Sequence, residues 1–406
     1  MTEMTLVGPD QCTACGACAA NCPKKCIQMV QDELGCYYPK IQNDKCVQCG
    51  LCRKTCPAIT PPEKLPKGTV YAAWNADDEQ RKNAASGGIA TAIYEHALIK
   101  GYKTFGVCSL PEGTAEYIEI KTREDIERCR NSKYVYTDIG RILMSVKRYI
   151  KDGKTVILPA LPCQAAAVLN YLGDRSDNLI LVDIVCHGVC PDTYLKQHVA
   201  CIEKKRKKRA DALFFRDPRY ATNQFVFSLY QNEKPFYHAK VHANDVYQLG
   251  YHKALSYREN CYHCAYATKQ RLGDMTVSDF SGLGRLAPFE YPRDSVSCMI
   301  VSSEKGEKLL SALISENRIL CHQRPSGEAF DYEKQLRAPS VPHAGRQVFI
   351  QHYLNSGDYV SSARRALKRD IAKNNIVNGL HIPLIKKRLS GILPKNIKKW
   401  IRNVIK

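Results

Sequence analysis

The run CTACGACAANCP beginning at Cys12 is set down again as CVQCGLCRKTCP beginning at Cys46, so that Cys12, Cys15, Cys18 and Cys22 have counterparts 34 positions later in Cys46, Cys49, Cys52 and Cys56. A repeat at fixed spacing is one structural unit copied, and its cysteines do the same job twice. Which job depends on the compartment. A chain of 406 residues with 44% hydrophobic residues buries a core without covalent staples. The opening MTEMTLVGPD has no basic patch ahead of an apolar run, which predicts no secretory leader. No apolar stretch reaches the roughly 18 residues of a spanning helix. The 20 cysteines therefore read as cytoplasmic thiols, and there such patterns mean metal or redox chemistry rather than disulfides.

In C-x2-C-x2-C three thiolates sit on one tight loop and grip three corners of a cuboidal iron–sulfur cluster. The fourth cysteine, three residues on and followed by Pro23 or Pro57, is turned away. This is the run of bacterial two-cluster ferredoxins, in which the fourth cysteine ligates the other cluster. It assigns Cys12, Cys15, Cys18 and Cys56 to one 4Fe-4S cluster and Cys46, Cys49, Cys52 and Cys22 to a second. A zinc site has no use for a third thiolate at the same step. Cys26 and Cys36, between the runs, read as packing residues. The proline-rich PAITPPEKLPKG then reads as a short stiff linker, ending an α+β ferredoxin-like domain at about residue 60.

Beyond the linker the chain has the texture of an α/β domain. KTVILPA and NLILVDIVC are of strand length, and the helix former AAAVLNYL lies between them. The order is strand, loop with Cys163, helix, strand, loop with Cys186, which is a βαβ unit with both cysteines beyond the carboxyl ends of parallel strands, where open α/β sheets bind ligands. Further on, Cys261 and Cys264 form a CxxC ahead of the strand MTVSDF. Alone that pair fits half a zinc knuckle, a redox pair or coincidence. With Cys163 and Cys186 it supplies four thiolates. Ser86, Gly87 and Gly88 open the helix IATAIYEHAL as a pyrophosphate cradle or as a plain N-cap. GLGRLA from Gly282 is cut off by Pro288 before a dinucleotide helix forms.

In order along the chain, the double cysteine run, SGGIATAIYEHALIKGY, NSKYVY, LPCQ, VDIVCHGV and the CxxC ahead of GDMTVSDFSG resemble the beta subunit family of coenzyme F-420 hydrogenases and dehydrogenases, over about residues 10 to 340. The resemblance implies an α/β domain over residues 70–345, in parts 70–150 and 151–345. It implies a flavin-containing iron–sulfur oxidoreductase, with a third 4Fe-4S cluster on Cys163, Cys186, Cys261 and Cys264. It further implies FAD bound by Ser86, Gly87, Gly88, Ser132, Lys133 and Gln164. The expected partners are a ferredoxin or another subunit and a small-molecule substrate, by analogy an intermediate of surface-polysaccharide synthesis. The other class is an electron-transfer subunit with no substrate of its own. The chain departs from the family where ALPCQ stands for GTPCQ and where Ser281 replaces the Trp of GDFWG, which puts the substrate in question. Cys190 and His187, beside Cys186, read as packing and structural residues.

The formal charge of +20 is uneven: residues 361–406 hold 13 Lys and Arg against one acidic residue, Asp370. Residues 346–406 are expected to form a basic helical tail. ILPKNIKKWIRNVIK puts Leu393, Ile397, Trp400, Ile401 and Val404 on one helical face, which predicts an interfacial helix on an anionic inner membrane surface. KKRKKR at Lys204–Arg209 reads as the solvated face of a helix beginning near Thr193. No aromatic-rich nucleic-acid module accompanies these charges, so no nucleic-acid partner is expected.

Overall fold

The computed structural model describes residues 6–220 and 224–379. A two-stranded antiparallel ribbon, β1 (Ile27–Gln31) and β2 (Tyr37–Ile41), lies between the cysteine runs, and each run leads into a one-turn helix, Ala17–Ala20 or Leu51–Thr55. The linker is not free. Leu65 N–H donates to the Arg271 carbonyl at 2.7 Å, Tyr266 Oη to Pro57 at 3.2 Å, and Lys64 Nζ to Ala265 at 2.8 Å, so the segment lies along the larger body.

That body is built on an eight-stranded sheet. Its strands are β3 (Thr69–Asn75), β4 (Lys103–Leu110), β5 (Thr114–Glu119), β6 (Val156–Ala160), β7 (Leu179–Ile184), then, after a separate antiparallel sheet of β8 (Ala212–Phe214), β9 (Phe227–Gln231) and β10 (Lys234–Ala239), β11 (Met275–Asp279), β12 (Ser297–Val301) and β13 (Ile319–Gln323). The order is β13-β3-β12-β11-β7-β6-β4-β5. The middle strands β11, β7, β6 and β4 run parallel, and the flanks are antiparallel. A parallel centre must be covered on both faces, and β6 is accordingly buried at every residue.

The expected βαβ unit is β6, the helix Pro162–Leu172 and β7. Cys163 lies in the first turn of that helix rather than in a loop, because Pro162 at N1 has its φ already set for helix. The helix Ile89–Ile99 starts where IATAIYEHAL does, with Gly88 at its N-cap in the left-handed region at φ 79°. The basic run ends the helix Asp192–Arg206. No helix starts at GLGRLA, whose residues from Gly282 are turns and bends.

The region read as a tail from residue 346 needs correction. The helices Arg346–Ser356 and Tyr359–Ala366 bury Phe349, Tyr353, Tyr359 and Ala363 against Tyr194 and Tyr247 in the largest core cluster, so the body extends to Leu367. Aromatic stacking explains the docking: Tyr359 lies 4.9 Å from Tyr194, ring to ring. The helix Lys368–Gly379 comes next, with no buried side chain. The proposed interfacial helix at Leu393–Val404 lies outside the described residues. No helix among the described residues is long and apolar enough to cross a membrane.

Candidate iron–sulfur and flavin site

The two cysteine runs are wound alike. Ala14 and Gly16 in the first, Gln48 and Gly50 in the second, all take left-handed backbone (φ 53°, 69°, 53° and 72°). Two left-handed residues two apart curl each loop in the same way.

The structure brings the four thiols of the first implied set together, and three of the second. The thiols of Cys12, Cys15, Cys18 and Cys56 all lie within electrostatic reach of one another. Burial above all, with Cys12 and Cys56 adding to it, pushes the Cys15 thiol up to about 11. Cys52 faces Cys46 and Cys49, while Cys22 Sγ lies 3.4 Å from Cys26 Sγ, and Cys26 in turn neighbours Cys46. Cys26 thus packs in a small core with Ile27 and Ile41, directly beside the second set.

The third set converges across the fold. Cys163, Cys186, Cys261 and Cys264 are mutually within reach, although they come from the start of one helix, the end of β7 and the turn around Glu259–Tyr262. Burial, then Cys264, pushes Cys261 up to about 12. Buried thiols that raise one another are poor anions without a cation, which a bound iron–sulfur cluster would supply. No three such donors among the described residues converge on the position of a single ion. A cuboidal cluster does not ask them to, because its four thiolates stand around a larger object. Cys190 is fully buried, with its Sγ 3.4 Å from Ser256 Oγ in the main core.

The sets abut in a line. Cys18 shares a small core with Cys22, Cys46 and Cys52; Cys15 neighbours Cys163; Tyr266 lies among Cys163, Cys15, Cys264 and Cys56. At the far end Cys186 and His187 line a cavity of about 550 Å³ beyond the carboxyl ends of β6, β7 and β11.

Of the residues expected to hold FAD, Ser86, Gly88, Ser132, Lys133 and Gln164 line this cavity. Gly87 does not. Its N–H donates to Ser297 Oγ at 2.9 Å, and a Cβ there would meet the Ala73 carbonyl at 2.5 Å, so this glycine serves close approach to the sheet. Lys133 Nζ is held by the carbonyls of Cys129, Arg130 and Asn131, and burial pulls its ammonium down to about 8. Gln164 accepts from Tyr117 Oη (2.8 Å) and Leu161 N–H (3.0 Å) and donates to the Thr137 carbonyl (2.9 Å), so it shapes the wall with its amide held at both ends. Burial holds His187 below the ordinary histidine range.

Sequence reasoning missed Arg216. Buried and stacked 4.0 Å from the Phe225 ring, it binds Tyr134 Oη at 2.8 Å, the Ala85 carbonyl and both oxygens of Asp279. Nothing in FFRDPRY signals this. Ser281, in place of the family's Trp, donates to Glu333 at 2.9 Å on the cavity wall. The buried Arg130 Nε and Asn131 Oδ1, also at the cavity, have no partner among the described residues. A cavity of several hundred Å³ with a helix N-terminus, aromatic rings and unspent polar atoms fits a dinucleotide-sized ligand.

Three family models match the chain: coenzyme F420 hydrogenase/dehydrogenase beta subunit N-terminus over residues 70–144, the C-terminus of the same subunit over 153–326, and a 4Fe-4S dicluster domain over 11–59. Among solved structures, the xenon-derivatised F420-reducing [NiFe] hydrogenase complex from Methanosarcina barkeri is similar at 17% identity. The match covers 75% of this chain and 92% of that one, with a TM-score of 0.40. No curated protein matches.

Proposed function

Because the chain belongs to the coenzyme F420 hydrogenase/dehydrogenase beta subunit family and carries a 4Fe-4S dicluster domain, we propose that it is a flavin-containing iron–sulfur oxidoreductase connecting a one-electron protein donor to an organic hydride acceptor. Three 4Fe-4S clusters are held by Cys22/Cys46/Cys49/Cys52, by Cys12/Cys15/Cys18/Cys56 and by Cys163/Cys186/Cys261/Cys264. FAD occupies the 550 Å³ cavity. When bound, these groups supply single-electron transfer on one side and hydride transfer on the other, which only a flavin combines. The observation that carries the reading is the line of thiol sets ending at Cys186 on the cavity wall.

The chain's own residues set the ends of that line. Cys49 is exposed beside exposed Val47 and Leu51, the same run carries exposed Lys45, Arg53 and Lys54, and exposed Lys24 and Lys25 follow Cys22. Such a basic rim suits an acidic redox protein. At the cavity, Ser86 and Gly88 offer the dinucleotide a turn at a helix N-terminus, Arg216 and Asp279 fix the wall, and Ser281 with Glu333 makes a polar place for substrate. That polarity supports a hydroxylated substrate, such as an intermediate of surface-polysaccharide synthesis. The basic C-terminal segment would hold the protein on anionic lipid, each cation contributing about 1 kcal/mol. Liposome sedimentation should then require anionic lipid and be lost on truncation after Gly379.

Anaerobic purification with iron, sulfide and flavin assays tests the whole reading: about twelve irons and one FAD per chain are expected. About eight irons would remove the third cluster. An absent flavin would leave an electron-transfer subunit without a substrate of its own.

A further inference from the structure

Four arginines are buried among the described residues: Arg216, Arg258, Arg271 and Arg346. Three of them face a carboxylate. Arg216 binds Asp279, Arg271 binds Asp183 at 3.2 Å and Arg346 binds Glu259 at 2.8 Å. Arg258, only 2% exposed and the largest fully buried side chain, has no carboxylate among the described residues. Its Nη2 donates to the carbonyls of Cys12 (3.2 Å) and Tyr37 (3.1 Å), its guanidinium lies 5.0 Å from the Tyr38 ring, and its Nε has no partner among the described residues. A guanidinium is never deprotonated in a protein, and an unneutralised buried charge is prohibitively costly. The missing negative charge must therefore come from something else beside it.

The candidates beside it are cysteines. Its side chain reaches the Cys12 loop, while its backbone caps the short helix Glu259–Tyr262 that carries Cys261 and receives the Cys261 N–H at 3.1 Å. Cys12, Cys36 and Cys261 all lie within its electrostatic field. Resting on the reading of these cysteines as cluster ligands, we propose that Arg258 is the shared counter-charge of the Cys12/Cys15/Cys18/Cys56 cluster and the Cys163/Cys186/Cys261/Cys264 cluster, raising the reduction potentials of both. The balance is simple. A cluster that takes up one electron gains one negative charge, no bond forms or breaks, and Arg258 stays protonated in both states. A fixed cation in a low-dielectric interior then favours the reduced form of each neighbour. The Cys22/Cys46/Cys49/Cys52 set, which has no contact with Arg258, is outside its influence.

Redox titration followed by electron paramagnetic resonance tests this on the anaerobically assembled protein. Arg258→Met should move the potentials of the Cys12/Cys15/Cys18/Cys56 (inner) and Cys163/Cys186/Cys261/Cys264 (third) clusters negative, displacing their electron equilibrium with the Cys22/Cys46/Cys49/Cys52 (outer) cluster on the order of tenfold or more, with the outer potential unchanged. Arg258→Lys, which keeps the charge and loses the fork, should restore most of the difference. Unchanged inner and third potentials in Arg258→Met would overturn the proposal. So would equal displacement in the Lys and Met variants, which would make Arg258 a geometric bolt alone. If Arg258→Met loses iron from the inner and third sets but keeps the outer signal, the counter-charge is needed already for assembly and the proposal holds. Loss of all three signals would refute it. A wild-type protein with eight irons would remove the third cluster from the proposed function, yet the inner potential would still test Arg258.

Discussion

The first and second cysteine runs have the same spacing, the same left-handed turns and the same one-turn helices, and they meet different surroundings. In the first, Cys12 and Cys18 are buried, Ala17 is fully inside the core of the larger body, and Tyr136 Oη donates to the Ala14 carbonyl at 2.8 Å. In the second, Cys49 is exposed, Val47 is 58% exposed, and nothing lies within 4 Å of where a Gly50 side chain would begin. One motif fixes how four thiols are presented, and the packing decides which copy faces solvent and which faces the body. On the proposed function, the exposed copy would meet a partner and the buried copy would serve the third set.

The sharpest way to break this comparison is to remove one ligand from each copy. Cys15→Ser should lower iron by about four per chain and reduce turnover by about a hundredfold or more with any donor, because no other set of thiols joins the outer copy to Cys163. Cys49→Ser should also lower iron by about four, yet a small viologen donor should retain most of its rate while a ferredoxin loses it. Equal losses with both donors in both variants would erase the distinction. Smaller in effect is the rim. Reversing Lys45, Arg53 and Lys54 to Glu should raise the KM for an acidic ferredoxin about tenfold at low salt and leave viologen kinetics and iron content alone. Unchanged KM would send the partner to another face.

The glycines give a stability version of the same contrast. Gly50→Ala costs only the left-handed backbone, about 1–2 kcal/mol. Gly16→Ala adds a Cβ 2.7 Å from Asp138 Oδ1 and 3.3 Å from the Gly140 Cα, so its cost should be about 1–3 kcal/mol greater. The midpoint of denaturation, read from cluster absorbance, separates them. Equal midpoints would mean the inner loop is free to move away from the body.

How much of this was legible in the sequence depended on range. The cysteine repeat is a local pattern with one chemistry, and the βαβ unit around Cys163 and Cys186 announces itself by apolar runs of strand length on either side of a helix former. Arg258 is different: it acts on Cys12, 246 positions away, and nothing in its own neighbours says so. Gly87 shows the same limit at short range, since SGG reads as a cradle until Ser297 takes the middle N–H from 210 positions off. The helices after residue 346 carry many cations, which hid that Phe349, Tyr353 and Tyr359 meet one aromatic cluster.

The smallest effect belongs to Cys26, where the comparison is finest. It stands between the two copies, 3% exposed, packed with Cys18 of the inner set while its Sγ lies 3.4 Å from Cys22 Sγ of the outer. The Cys22 thiol pushes it up to about 11, the mark of a thiol that stays protonated and can donate to a neighbouring sulfur. On the proposed ligand sets, a fifth thiol would have no position left on a cluster held by four others. Cys26→Ser should therefore leave iron content unchanged and cost about 1 kcal/mol for burying a hydroxyl in place of the thiol. Iron and sulfide assays beside a denaturation curve check it. A loss of about four irons would make Cys26 the outer ligand in place of Cys22, and Cys22→Ser would then retain the cluster.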